Sequence, residues 1–104
     1  VVGGAGYIGS HAAKALAASG RRVVVLDDLS NGHREAVQWG DLVVGSIRDE
    51  ALVASTIERY GVTAVMHFAA WSYVGVSMTD PAGYYANNVE GTLALLRAMV
   101  KSGV

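Results

Sequence analysis

Apolar residues follow two rhythms along this chain, and glycines mark where one gives way to the other. Val23-Val24-Val25-Leu26 is a continuous, mostly β-branched run, the pattern of a strand covered on both faces. Ala64-Val65-Met66-His67-Phe68-Ala69 reads as another strand and Leu42-Val43-Val44 as a shorter one, while Val1-Val2 reads as the end of a buried strand. Between them the pattern is helical. A helix is predicted from Tyr7 to Gly20, rich in alanine and closed by a glycine suited to a left-handed stop. A short helical stretch follows at Arg34 to Gln38. Asp49 is an N-cap for a helix through Tyr60 with Gly61 as its stop. Asp80-Pro81 opens a last helix, with proline at the position where its missing N–H costs nothing, and that helix runs to about Ser102 before Gly103.

Strands alternating with helices predict parallel β-α-β units with right-handed crossovers. Four strands in this rhythm fit most of the first half of a doubly wound α/β sheet of the Rossmann type, in spatial order 3-2-1-4. A fifth strand is expected where the chain stops. The chain opens without Met and closes on Gly103-Val104, so residues 1–104 are expected to be the N-terminal part of a nucleotide-binding domain whose remainder, with the substrate domain, lies elsewhere. The open edge of the fourth strand would then favour association or poor folding in isolation.

Composition narrows the function. The chain is 52% hydrophobic, with 8 basic and 9 acidic residues and a net charge of −1, which excludes a disordered tail. No Lys/Arg cluster offers phosphate neutralisation or lipid attraction, so neither nucleic acid nor a membrane surface is an expected partner. No apolar run reaches the length of a membrane span, and the opening Val1-Val2 pair, without a charged start, long apolar stretch or cleavage site, is not expected to be a signal peptide. The absence of cysteine removes thiolate chemistry and fits a reducing, cytoplasmic compartment. His11, His33 and His67 are widely spaced with no carboxylate at ligand spacing, so no metal site is expected; His67 reads better as a hydrogen-bonded core histidine than as a base.

The chemistry concentrates at the first strand-to-helix turn. Gly4, Gly6 and Gly9 satisfy G-x-G-x-x-G, and Gly3, Gly6 and Gly9 satisfy G-x-x-G-x-x-G. Such a turn lets backbone approach a pyrophosphate at the positive end of a helix, although a glycine-rich turn could also serve packing alone. Asp27 ends the next strand 18 residues after Gly9, near the spacing of a carboxylate that accepts from an adenosine ribose; otherwise it is a solvated strand end. As a ribose ligand it selects NAD over NADP. A 2′-phosphate charge about 4 Å away is repelled by about 4 kcal/mol at an effective dielectric near 20.

Longer motifs carry a resemblance. Gly3-Gly4-Ala5-Gly6-Tyr7-Ile8-Gly9-Ser10-His11, Leu26-Asp27-Asp28-Leu29-Ser30-Asn31-Gly32, His67-Phe68-Ala69-Ala70, Val74-Gly75-Val76-Ser77 and Tyr84-Tyr85-Ala86-Asn87-Asn88-Val89-Glu90-Gly91-Thr92 together resemble the extended short-chain dehydrogenases, over the whole chain. The Val-Gly-Val-Ser segment looks more like the family's nucleotide-sugar epimerases than its dehydratases, which tend to have His-Val-Asp-Arg-Ser there. The resemblance implies NAD as cofactor, with the backbone of Tyr7 and Ile8 at the pyrophosphate. It places Asp27, Asp28, Leu29, Ser30, Asn31 and Gly32 around the adenosine ribose, Ser46 and Ile47 near the adenine, Phe68, Ala69 and Ala70 beneath the cofactor, and Asn88 on the nicotinamide side. Ile47 and Phe68 have an ordinary core role as their alternative, and Asn88 the capping of a neighbouring loop.

Departures from the family are Val2 for a frequent Thr, Asp28 for Asn, Ser46 for Asp, and Ser72 for the Lys of some members. Ser46 puts a direct adenine contact in doubt, and Ser72 removes a cationic one. The implied activity is inversion at C4 of a UDP-hexose substrate by hydride transfer to and from NAD, with a Tyr base, a Lys four residues on, and a Ser or Thr. No Tyr-x-x-x-Lys occurs in these residues, so no catalytic residue is expected among them. Another nucleotide-sugar epimerase or dehydratase, or an NAD sensor without catalysis, fits the same residues. Tyr85, Val89, Leu93, Leu96 and Val100 recur at helical spacing, with Gly91 permitting close approach of another helix. The resemblance implies a homodimer bundle there; burial under further segments of the same protein is the alternative.

Overall fold

A computed structural model describes residues 1–104. It begins with a glycine turn leading into helix α1, Tyr7–Ala18, which gives way to Gly20 in the left-handed conformation. Strand β1, Val24–Asp27, pairs in parallel with β2, Asp41–Val44, with Val24 opposite Asp41 and Asp27 opposite Val44. The connection between them carries a 3-10 turn at Arg34–Ala36, shorter than the stretch predicted to Gln38.

Val2 extends the sheet on the other side of β1. It bridges in parallel to Leu26 and to His67, so the lateral order is β2, β1, the Val2 segment, the His67 segment. That is the expected 3-2-1-4 order. The outer segments are nevertheless single bridges, not full strands: Val2 N–H donates to Met66 and Phe68 N–H donates to Val2. The run from Ala64 to Ala69 was expected to be a strand, but its only pairing partner is the two-residue stretch before the glycine turn. Apolar content alone does not make a strand without a ladder to join.

Both faces of this sheet are covered. Successive strand residues point to opposite sides. Val25 is fully buried and abuts Gly4, at the turn into α1, while Leu26 joins Val2, Ile47, Val53, Ile57, Leu95 and Ala98 in the main core. That second face is built by α2, Glu50–Tyr60, and α5, Gly91–Lys101, which pack on each other. Helix α2 has the predicted ends: the Asp49 carboxylate accepts from Leu52 N–H, and Gly61 closes it at a φ of 59°.

Two features of the C-terminal half depart from expectation. A short helix, α3 at Val74–Thr79, occupies a stretch to which the pattern assigned no element; three of its six residues are β-branched and one is glycine, a poor helix signal. The last helix does begin at Asp80-Pro81, with Asp80 accepting from Gly83 N–H, and continues to Lys101. It does so as α4, Pro81–Tyr85, a π-helical turn at Ala86–Glu90, and α5. Helical backbone angles persist at Tyr85, Ala86, Glu90 and Gly91, so the rod is continuous with a widened turn inside it. Tyr85, Val89, Leu93, Leu96 and Val100 are exposed along its outer face. Gly91 is buried and meets Ile47 of the same chain, not another helix. No helix is long and apolar enough to cross a membrane.

Candidate functional site

The glycines of the first turn do different work. A Cβ on Gly9 would lie 2.1 Å from the Gly3 carbonyl oxygen, one on Gly4 2.7 Å from Val25 Cγ1, and one on Gly3 2.5 Å from Ala69 N. Gly3 also needs its φ of 79°. These three are demanded by the packing of the turn against α1, β1 and the His67 segment. Gly6 is not: its backbone is extended, and a Cβ there would meet nothing closer than 3.5 Å. The space such a side chain would fill is an open cleft, which Gly6 lines together with Gly3.

Gly6 is also the N-cap of α1, and it supplies no side-chain acceptor. The N–H groups of Tyr7, Ile8 and Gly9 make no hydrogen bond within the chain, and no acidic side chain lies in the first turn. Unpaired donors at the positive end of a helix form an anion site. The side chains of Tyr7 and Ile8 are exposed and point elsewhere, so these two residues can contribute only backbone to it.

Across the cleft, Asp27 holds the turn in place. One carboxylate oxygen accepts from Ala5 N–H and the other from Leu29 N–H, each at 2.9 Å. His33 N–H donates to the Ala5 carbonyl at 2.9 Å, so residues 27–33 grip Ala5 from both sides. Within this loop Asp28 accepts from the N–H and hydroxyl of Ser30, and Leu29 takes a φ of 61°, rare for a side chain of its kind. The resulting curve places Asp27, Asp28, Ser30, Asn31 and Gly32 along one wall. A carboxylate has about four acceptor positions, so Asp27 retains two for a ligand.

The remaining wall comes from Ile47 and from Phe68, Ala69, Ala70 and Trp71. Ser46 does not reach the cleft. It faces an outer hollow with Arg48, Glu90 and Arg97, and its hydroxyl accepts from Arg48 N–H within the turn that Asp49 N–H closes on the Ser46 carbonyl.

Of the two adjacent asparagines, Asn87 lines the cleft and Asn88 does not. The Asn88 amide accepts from Trp71 N–H at 2.8 Å and donates to the Trp71 carbonyl at 2.9 Å, which is the loop-capping role left open above. It also accepts from the Asn87 amide N–H, leaving the Asn87 carbonyl oxygen with no partner in the chain. Asn87 is therefore the polar group presented at this end. Nothing in an Asn-Asn pair tells which one faces inward, since the π turn decides it.

His67 stands behind the wall. The Thr92 hydroxyl donates its one hydrogen to the Asn88 carbonyl, so His67 Nε2 must be the donor to Thr92 Oγ1, at 3.1 Å. Burial pushes the imidazole below its ordinary range. His67 is thus hydrogen-bonded as expected, but it is exposed on the outer segment of the sheet and not part of the core.

Residues 1–104 match the NAD dependent epimerase/dehydratase family. A UDP-glucose 4-epimerase of Rhizobium meliloti is 53% identical over 104 residues, covering all of this chain and 32% of the relative. The crystal structure of UDP-glucose 4-epimerase from Brucella ovis in complex with NAD superposes with a TM-score of 0.95 at 56% identity, covering 98% of this chain and 31% of that one. DesIV, a dTDP-glucose 4,6-dehydratase of Streptomyces venezuelae crystallised with NAD, reaches 0.90 at 37% identity, covering 99% and 35%. The chain thus spans about a third of the length of the relatives it matches.

The Asn88 bracket is testable in the full-length protein. Asn88→Ala leaves both backbone groups of Trp71 unpaired and is expected to cost about 2 kcal/mol of stability in guanidinium unfolding. Unchanged stability would show that the loop does not depend on the bracket.

Proposed function

The chain belongs to the NAD-dependent epimerase/dehydratase family, and on that premise we propose that it is the N-terminal, cofactor-binding portion of a UDP-glucose 4-epimerase. One observation carries the reading. The start of α1 carries unpaired N–H groups, and the bare Gly6 that precedes them lines one cleft together with the Asp27 carboxylate at the end of β1. That is the donor and acceptor set of a dinucleotide: anionic in the middle, with ribose hydroxyls on the adenosine side.

In this reading the N–H groups of Tyr7 and Ile8 hold the pyrophosphate. Asp27 accepts from the adenosine ribose, and Asp28, Leu29, Ser30, Asn31 and Gly32 shape the loop around it. Ile47 flanks the adenine, and Phe68, Ala69 and Ala70 lie beneath the cofactor. Asn87, oriented by Asn88, presents its carbonyl oxygen on the nicotinamide side. NAD when bound supplies the hydride acceptor and donor for inversion at C4 of a UDP-hexose. The residues of this chain contribute binding and orientation only. The Tyr and Lys that exchange the substrate proton are proposed to lie in the rest of the protein, since Tyr7, Tyr60, Tyr73, Tyr84 and Tyr85 are followed four positions on by His11, Ala64, Ser77, Asn88 and Val89. The exposed stripe from Tyr85 to Val100 is proposed to be covered in a homodimer. A cytoplasmic enzyme fits a chain without cysteine.

Cofactor choice tests the assignment of Asp27. The full-length protein is expected to bind NAD about 100-fold or more tightly than NADP, because the carboxylate opposes a 2′-phosphate. Equal affinities by calorimetry would remove Asp27 from the ribose. Residues 1–104 alone, assayed with UDP-galactose and NAD, are expected to show no turnover; measurable epimerisation would place the proton-transferring groups among them.

A further inference from the structure

The loop between β2 and α2 carries Ile47 into the cleft, and what lies behind Ile47 sets how far it reaches. Ile47 is 5% exposed and belongs to the main core with Val2, Leu26 and Val53. Its neighbours fix the loop backbone: Arg48 N–H donates to the Ser46 hydroxyl, Asp49 N–H donates to the Ser46 carbonyl, and the Arg48 guanidinium lies 3.8 Å from the Glu90 carboxylate. Directly behind it is Gly91. A Cβ built on Gly91 would stand 2.8 Å from Ile47 Cγ2 and 3.5 Å from Arg48 Cγ.

Nothing in the backbone asks for glycine at this position. Gly91 has ordinary helical angles, φ −60° and ψ −44°, and alanine is the better helix former. Glycine here is unfavourable for the helix and leaves room for one side chain, Ile47. With core residues packed around Ile47 and its loop tied at both ends, the open side is the cleft. A methyl group added at Gly91 would press Ile47 towards it.

We propose that Gly91 is a positioning residue for the cofactor's adenine end, acting through Ile47: the missing side chain sets the depth of the cleft where the adenine lies. This rests on the reading of the cleft as an NAD site. Gly91 touches no ligand itself; its effect reaches the nucleotide through a single methyl contact, Cγ2 of Ile47.

The test uses the full-length protein freed of cofactor, with NAD, AMP and nicotinamide mononucleotide as probes. Gly91→Ala is expected to weaken NAD and AMP by about tenfold, the scale of one overpacked methyl, and to leave nicotinamide mononucleotide unchanged. Ile47→Leu moves the branch off Cβ and removes the methyl that faces Gly91. In that background Gly91→Ala is expected to change AMP affinity by less than about twofold. A loss for AMP of equal size in both backgrounds, or no loss in either, would overturn the proposal. Where Gly91→Ala alone does not fold, the double variant decides: AMP affinity close to that of Ile47→Leu supports the contact, and a further tenfold loss overturns it. A parent protein that binds neither NAD nor AMP overturns the reading of the cleft itself, an outcome distinct from normal binding by Gly91→Ala.

Discussion

Ala5 is the point at which the two halves of the cleft are joined. Its N–H donates to Asp27 and its carbonyl accepts from His33, so the loop after β1 is fastened to the glycine turn by one residue's two backbone groups. Each bond adds about 0.5 to 1.5 kcal/mol, more where the carboxylate takes part. Their geometric effect is larger than their energy. They fix the separation of the free N–H groups of α1 from the Asp27 carboxylate, which in the proposed function spans pyrophosphate to ribose. Gly32 belongs to the same fastening, since a Cβ there would come within 2.7 Å of the Ala5 methyl. Asp27 thus spends one lone pair of each oxygen on the fold and, in the proposed function, keeps the others for the ribose.

The opposite wall uses a comparable device in a helix. A π-helical turn widens the last helix at Ala86–Glu90, and within it Asn88 engages Trp71 while Asn87 donates to Asn88. Asn88 gives the N–H and carbonyl of Trp71 the partners that no strand supplies, and Thr92 links the same turn to His67 at the sheet. Irregular helix at such a place is characteristic of sites that must aim a side chain. Here the side chain aimed is Asn87.

Elements whose signals are local could be read directly from the sequence. Asp49 with Gly61 and Asp80 with Pro81 state where helices begin and end, because a cap needs only its own few residues. Asp27 and the glycine turn were equally legible, since the spacing from Gly9 reflects a β-α-β unit. What depends on partners was not. The Ala64–Ala69 run needs a ladder longer than Val1-Val2 provides, and α3 forms against its own weak propensity. Ser46 and Asn88 were expected near the cofactor, yet a tight turn at Ile47-Arg48 and one extra residue in a helical turn put their neighbours Ile47 and Asn87 on the cleft instead. Such differences of one position arise from tertiary packing, which sequence spacing does not encode.

In the proposed function a single dinucleotide joins the start of α1 to Asp27 while Ala5 holds the two together. A crystal structure of the full-length protein with NAD measures this most directly. Pyrophosphate oxygens are expected within hydrogen-bond reach of the Tyr7 and Ile8 N–H groups, with a ribose hydroxyl on the Asp27 carboxylate and its bond to Ala5 intact. A pyrophosphate bound away from α1, or an Asp27 that releases Ala5 or leaves the ribose without an acceptor, would contradict it.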